Sequence, residues 1–462
     1  MKETKCRVKT SSCFFWFSVA FLIGILVLIA GCWIKNINTP YYTQTTSYYC
    51  GAASAKMILN SEKLGIYVAS QDTLYNYIHS HNNSCSTNWA SDPQGLSAVL
   101  NHYANTHTPP AYFVVSALSN QEDGVKKQAY TIDKYGVPPT SLIYNCAHWV
   151  VVRGVFTDVQ PTTAATYTIY GFYVNDPWYG STSLGENKYI DISSWKDDYF
   201  TGCSWCGSPS GNKYISVVDP DPIPAVRLKY PKVLERKPRI ISAKEAQEYA
   251  ANAIKQFESQ KEFHKNFAEA LKVMRESKIS NPLLVQRSDR KKDAFYIVPL
   301  MKANLTSGAI IIDAYSGQLK EATYIIKPIE YVERFEVKRA TELFKKNIPT
   351  LKIRPELLRE LEIKPIKRSS LISTAEAQEP VAELKTFKQL NIKSADVKIT
   401  KMELVWEPSQ ETQNPYYPLW KAVGTVKYIK EAKTLGYMNF KGKVFHDIIK
   451  ADKIKLKGGS LN

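Results

Sequence analysis

Apolar positions along the chain change period, and the change divides the first half into two parts. Ala52, Ala53, Met57 and Ile58 follow Cys50 at helical spacing, and Leu74, Tyr77 and Ile78 predict a second helix. After the break at Asp92-Pro-Gln-Gly-Leu96, Leu96, Val99, Leu100 and Tyr103 share one face of a third. Beyond them Tyr112–Val115, Trp149–Val152, Tyr167–Val174 and Tyr189–Ile192 read as strands rich in β-branched and aromatic residues. Helices followed by antiparallel strands predict an α+β fold. Residues two apart in a strand share a face, so His148, Val150 and Val152 are expected to point toward the Cys50 helix, with Trp149 and Val151 turned away.

A second pattern begins after Pro220-Asp-Pro-Ile-Pro224. Ser242-Ala-Lys-Glu245 is a capping-box sequence, and Ala246, Tyr249, Ala250, Ala253 and Phe257 repeat with helical spacing, continued by Phe263, Phe267, Ala270, Leu271 and Met274. Strands at Phe295–Leu300 and Ala309–Ala314 follow, with a tight turn at Ser316-Gly317. The order returns as a helix over Val337–Lys346, then Pro415–Trp420 and Gly436–Phe445, so two helix-plus-hairpin modules are expected. The stretch from about Arg354 to Lys388 reads as a helix and linker. The predicted units are 36–224, 225–330 and 331–462, after a separate N-terminal segment 1–31.

Charge supports the break. Residues 36–224 hold 9 Lys or Arg against 14 Asp or Glu, whereas residues 225–462 hold 46 against 28, and no cysteine lies beyond Cys206. The basic half invites an anionic membrane surface or an acidic partner; its interleaved Glu residues point instead to solvated helix faces, and no nucleic-acid motif is present.

Lys2, Lys5, Arg7 and Lys9 precede an apolar run from Cys13 to Gly31, the pattern of an export signal or of an uncleaved anchor. Small Ala30-Gly31 before Cys32 resembles the bacterial lipobox, which implies lipidation of Cys32 as the mature N-terminus. Either reading tethers the remainder to the extracytoplasmic face of a bacterial membrane.

The candidate chemistry lies in the first unit. An ordinary cysteine thiol, with a pKa of about 8.5, is mostly protonated at neutral pH, and small residues after Cys50 let a helix start there whose dipole favours a thiolate. His148 supplies a base, Asp176 an acceptor that fixes the imidazole tautomer, and Gln44, six residues before the cysteine, an amide N–H for a developing oxyanion. Asn175 is the alternative partner for His148. No metal or organic cofactor is required.

Gln44 with Cys50-Gly51-Ala52-Ala53, then Ala147 to Gly154 around His148, then Tyr173-Val174-Asn175-Asp176-Pro177, resembles the bacteriocin-processing, double-glycine type of papain-like cysteine peptidases, in particular their stand-alone relatives. The resemblance spans roughly residues 40–220. It implies Cys50 as nucleophile, His148 as base and then acid, Asp176 as its orienting group and Gln44 as oxyanion donor, acting on a peptide or protein substrate. Tyr49 stands where the transporter-fused enzymes commonly carry Asp, a departure that bears on leader-peptide processing rather than on the chemistry. The same residues would equally serve a cysteine acyltransferase or a peptidoglycan amidase, and a binding lipoprotein that keeps the fold is the non-enzymatic alternative.

Cys203-Ser-Trp-Cys206 has no second pair with zinc-ligand spacing. In an exported protein Cys85, Cys146, Cys203 and Cys206 are disulfide candidates with three possible pairings. The second half, through Tyr296–Pro299 with Ile310–Gly317 and Tyr416–Trp420 with Asn439–Val444, resembles PepSY-type modules. That resemblance implies regulation of the neighbouring peptidase by residues 225–462.

Overall fold

The structure, a computed structural model, describes residues 32–68, 70–107, 111–178, 182–208, 211–354, 357–358, 385–409, 411–427, 429 and 431–449. The apolar segment 1–31 and most of the expected helix and linker at 354–388 lie outside the described residues. No helix among the described residues is long and apolar enough to cross a membrane.

The first half runs β1 (Trp33–Asn36), α1 (Cys50–Leu59), α2 (Gln71–Ser80), α3 (Pro93–Ala104), β2 (Val114–Leu118), α4 (Gln121–Tyr135), β3 (Thr140–Ile143), β4 (His148–Thr157), β5 (Thr166–Asn175), β6 (Lys188–Asp191), β7 (Tyr214–Val218) and β8 (Arg227–Lys229). Local chemistry starts the helices. The Ser70 side chain accepts from Asp72 N–H at the head of α2, and Asp92 accepts from Gly95 N–H at the head of α3, where Pro93 opens the first turn. Helix α4 escapes the apolar pattern because its core face is sparse, built on Val125, Ala129 and Ile132 among charged residues. Asn120 caps its start and Gly136, at φ 62°, ends it in the left-handed conformation.

The second half contains α5 (Ala243–Ser259), α6 (Lys261–Asn266), α7 (Ala268–Glu276), β9 (Lys278–Ile279), β10 (Leu283–Arg287), β11 (Ala294–Lys302), β12 (Leu305–Asp313), β13 (Leu319–Ile329), α8 (Val337–Asn347), β14 (Val397–Trp406), β15 (Leu419–Val426), β16 (Lys433–Met438) and β17 (Val444–Phe445). The Ser242–Glu245 capping box forms, with both reciprocal hydrogen bonds.

Strand pairing joins the halves. The ladder reads β2–β7–β3–β4–β5–β6–β13–β12–β11–β10–β14–β15–β16–β17, with β1 also against β4. All these pairs are antiparallel except β10–β14, so the molecule is α+β with a large, mostly antiparallel sheet. The link is β6 on β13, where Ile190 faces Glu321 and Tyr189 faces Ala322.

One expectation about β4 is corrected. Trp149 and Val151 pack with the α1 residues Ala52 and Ala55, whereas Val150 and Val152 pack on the other face with Val125 and Ile132 of α4. The period of two is present from Trp149 to Val152 with its faces exchanged, while His148, the first residue of the strand, still lies beside Cys50. The physical reason is Gly51, which leaves room for the Trp149 indole against the head of α1.

Candidate active site

Cys50 is the first residue of α1 and is almost wholly buried. A Cβ placed on Gly51 would come within 2.5 Å of Ser91 and 3.4 Å of Trp149 Cδ1, so glycine permits the helix to sit this close. The Trp149 indole N–H donates to Ser91 O at 3.0 Å and completes the contact. The N-cap of α1 is Tyr49, whose side chain gives no capping hydrogen bond; its hydroxyl donates instead to Asp72 Oδ1 at 2.7 Å. The first N–H groups of a helix have no intrahelical acceptor, so this uncapped end keeps donors and a positive dipole beside the Cys50 sulfur.

His148 opens β4 after a turn in which Tyr144, Asn145 and Cys146 have φ of 53°, 54° and 62°. Three successive non-glycine residues in the left-handed region are costly and persist only where the surroundings impose them. Here Tyr144 N–H donates to Tyr199 O at 2.9 Å, Asn145 N–H donates to Thr201 Oγ1 at 2.7 Å, and a disulfide joins Cys146 to Cys203. A second disulfide joins Cys85 to Cys206, so the two cysteines of the C-x-x-C sequence belong to different bridges. The free cysteines among the described residues are Cys32 and Cys50. Cys32 packs at the edge of the cluster containing Phe156 and Tyr173, whereas Cys50 packs with Trp149. Burial pushes the Cys32 thiol up from its ordinary value.

Asp176 follows β5. Its Oδ1 lies 2.8 Å from His148 Nε2 and accepts from Trp178 N–H at 3.0 Å, while Tyr41 OH donates to its backbone oxygen at 2.9 Å. His148 and Asp176 are each 1% exposed, so the pair is sealed from water. Asn175 has other duties: its amide donates to Thr39 O and accepts from Asn187 N–H. Gln44 is tethered to the Asp176 loop by its backbone N–H to Pro177 O at 2.7 Å, and its buried side-chain amide has no hydrogen-bond partner among the described residues.

Burial disfavours the His148 imidazolium, but the hydrogen bond to Asp176 and the interaction with Cys50 outweigh it and push the ring up to about 9. Nδ1 makes no hydrogen bond among the described residues and is the ring nitrogen left available to the sulfur. Asp176 is held below the ordinary carboxylate value: burial opposes this, and His148, Lys188 and the Trp178 N–H overcome it. An assembly of this kind can take a proton from a thiol onto an oriented imidazole and offer N–H donors to an adjacent anion.

Residues 36–203 match the model of the Peptidase_C39 like family. The match is consistent with a C39-like, papain-like peptidase domain over this segment and suggests a cysteine peptidase, a family that implies peptide or protein substrates. No curated protein matches the chain. The matched segment of the C39-like domain contains all four residues of the candidate site and ends at Cys203. A cavity of about 650 Å³, lined by Phe156, Tyr170, Tyr189, Tyr249 and Phe257 among others, contains none of these four.

Sequence reasoning did not single out Tyr41 or Lys188. The signal for Lys188 was a lone cation opening an apolar strand; the signal for Tyr41 is absent, because its partner is a backbone oxygen 135 residues away.

Proposed function

We propose that the C39-like domain is an active peptidase using Cys50, His148 and Asp176, tethered through Cys32 or the apolar N-terminal segment to the extracytoplasmic face of a bacterial membrane. The observation that carries this reading is the imidazole set between two partners, its Nε2 on Asp176 and its other side toward Cys50, with its pKa pushed up to about 9. In the proposed mechanism Nδ1 already holds the Cys50 proton, and the sulfur attacks the substrate carbonyl carbon as the thiolate of that ion pair. The carbonyl oxygen takes the electron pair and is held by the Gln44 amide and the N–H groups at the head of α1. Collapse of this adduct breaks the C–N bond, the imidazolium gives its proton to the departing amine, and an acyl-thioester on Cys50 remains. Water, deprotonated by His148, then releases the acid and restores the thiol.

The two disulfides and the export-like N-terminus support the extracytoplasmic placement. The test is mass spectrometry of the full chain expressed in its envelope and treated with iodoacetamide. The expected result is a lipid-modified or anchored N-terminus and carboxamidomethylation of Cys50 at least about tenfold faster than an ordinary thiol, with the rate advantage lost in His148→Ala. Equal rates in both proteins overturn the catalytic reading.

A further inference from the structure

Asp176 has a second charged neighbour besides His148. Lys188, the first residue of β6, is fully buried, and its Nζ lies 3.6 Å from Asp176 Oδ2 and 3.4 Å from Glu321 Oε2. Neither of these carboxylate oxygens has a hydrogen-bond partner among the described residues, so the ammonium is what each has instead. Nζ also donates to Tyr199 OH at 3.1 Å, and that hydroxyl donates to the other Glu321 oxygen. The rings of Tyr199 and Tyr416 close over the ammonium, with centroids 5.0 and 5.7 Å away. Glu321 and Tyr416 belong to the second half of the chain, and the β6–β13 register places Glu321 opposite Ile190, two residues from Lys188.

An ammonium with Asp176 as its sole counter-charge would compete with the imidazolium for that carboxylate. A second carboxylate on the far side divides its pull. We infer that Lys188 and Glu321 are positioning residues of the thiol site: the carboxylate delivered by β13 balances the ammonium and leaves Asp176 free to hold His148. The inference rests on the proposed roles of Cys50, His148 and Asp176, and it gives the second half of the chain a direct part in that site.

The other ionisable groups facing this cluster are Tyr41 and Tyr144 near Asp176, Tyr199 and Tyr416 near Lys188, and Lys320 near Glu321. Burial pushes all four phenols well above their ordinary value, so they stay neutral across the useful range. Burial also pushes Glu321 up, and Lys188 and the Tyr199 hydroxyl oppose that.

The test is a ¹³C-histidine NMR titration of the full chain, with His148 assigned by substitution. Glu321→Gln keeps the acceptor for Tyr199 and removes only the charge. It is expected to lower the His148 midpoint by about one pH unit, because a negative charge is lost and Asp176 is drawn toward Lys188. Combining it with Lys188→Met removes the unbalanced ammonium and is expected to bring the midpoint most of the way back. If Glu321→Gln does not fold, Glu321→Asp, which withdraws the carboxylate by one methylene, is expected to shift the midpoint in the same direction by less. An unmoved midpoint in a folded variant whose Cys50 still alkylates rapidly overturns the positioning role alone, as does a double variant farther from wild type than Glu321→Gln. Loss of rapid Cys50 alkylation in the wild-type chain overturns the underlying catalytic reading as well.

Discussion

His148 holds its proton for two separate reasons, and pH dissects them. Its folded-state value of about 9 lies above the ordinary 6.5, so the imidazolium contributes stability that is complete below about pH 6.5 and disappears as pH rises through 9. Asp176 runs the other way: its depressed pKa gives stability that is present above the ordinary carboxylate range and lost on acidification through the lowered value. The proposed hydrolysis needs the imidazolium as acid for the departing amine, so on that reading the rate of peptide cleavage is expected to fall as pH rises through about 9. Measuring initial rates from pH 6 to 10 on any cleaved peptide checks this; a rate still rising beyond pH 10 contradicts the proton's assignment to His148. Cys50, His148, Asp176 and Gln44 were legible as candidates because each has a suggestive side-chain type in a distinctive neighbourhood. Lys188 and Glu321 were not, because a lysine and a glutamate acquire meaning only when strands 133 residues apart in sequence come into register.

Elements, rather than single side chains, set the distance between sulfur and imidazole. Helix α1 approaches β4 across Gly51, and the strand begins after a turn held left-handed by a disulfide and two hydrogen bonds. Replacing Gly51 with Ala puts a methyl against the Ser91 Cβ, which cannot swing aside as the tip of a long side chain would. The expected cost is about 1–3 kcal/mol of stability from overpacking. Cys50 alkylation should slow at the same time as the helix backs away from His148. Chemical denaturation and iodoacetamide kinetics on the same preparation check both, and an unchanged stability would mean that Ser91 gives way freely. The helices α1, α2, α3 and α5 could be read from apolar spacing and capping residues. The facing of β4 could not, since alternation reveals a period but not its phase, and the phase was decided by where an indole fits beside a glycine.

At the scale of the whole molecule, the halves share one sheet and a buried ionic knot. Asp198, from the first half, is bound by Arg287 at 2.9 Å, Arg290 at 2.7 Å and Lys320 at 2.8 Å, all from the second. Burial opposes its ionisation, yet the three cations hold Asp198 well below the usual carboxylate range. Removing that one carboxylate with Asp198→Asn leaves the buried Arg287 with Asp289 as its remaining carboxylate and the partly exposed Lys320 without its ion pair, and is expected to cost about 3 kcal/mol. In the wild-type chain β4–β6 and β11–β13 are expected to lose amide protection at one denaturant concentration, because their ladder is continuous. Hydrogen exchange read strand by strand checks this, and two well-separated midpoints would show that the halves unfold independently. The compositional break near Pro224 revealed two differently charged regions, but composition carries no information about which strands will meet.

The ladder terminates differently at its two ends. At one side the final strand, β17, is only two residues long, too short a template for a neighbouring chain to zip onto. At the other, β2 offers five residues with Val114 38% exposed, so self-association by strand addition, where a concentrated solution provokes it, has a longer template here.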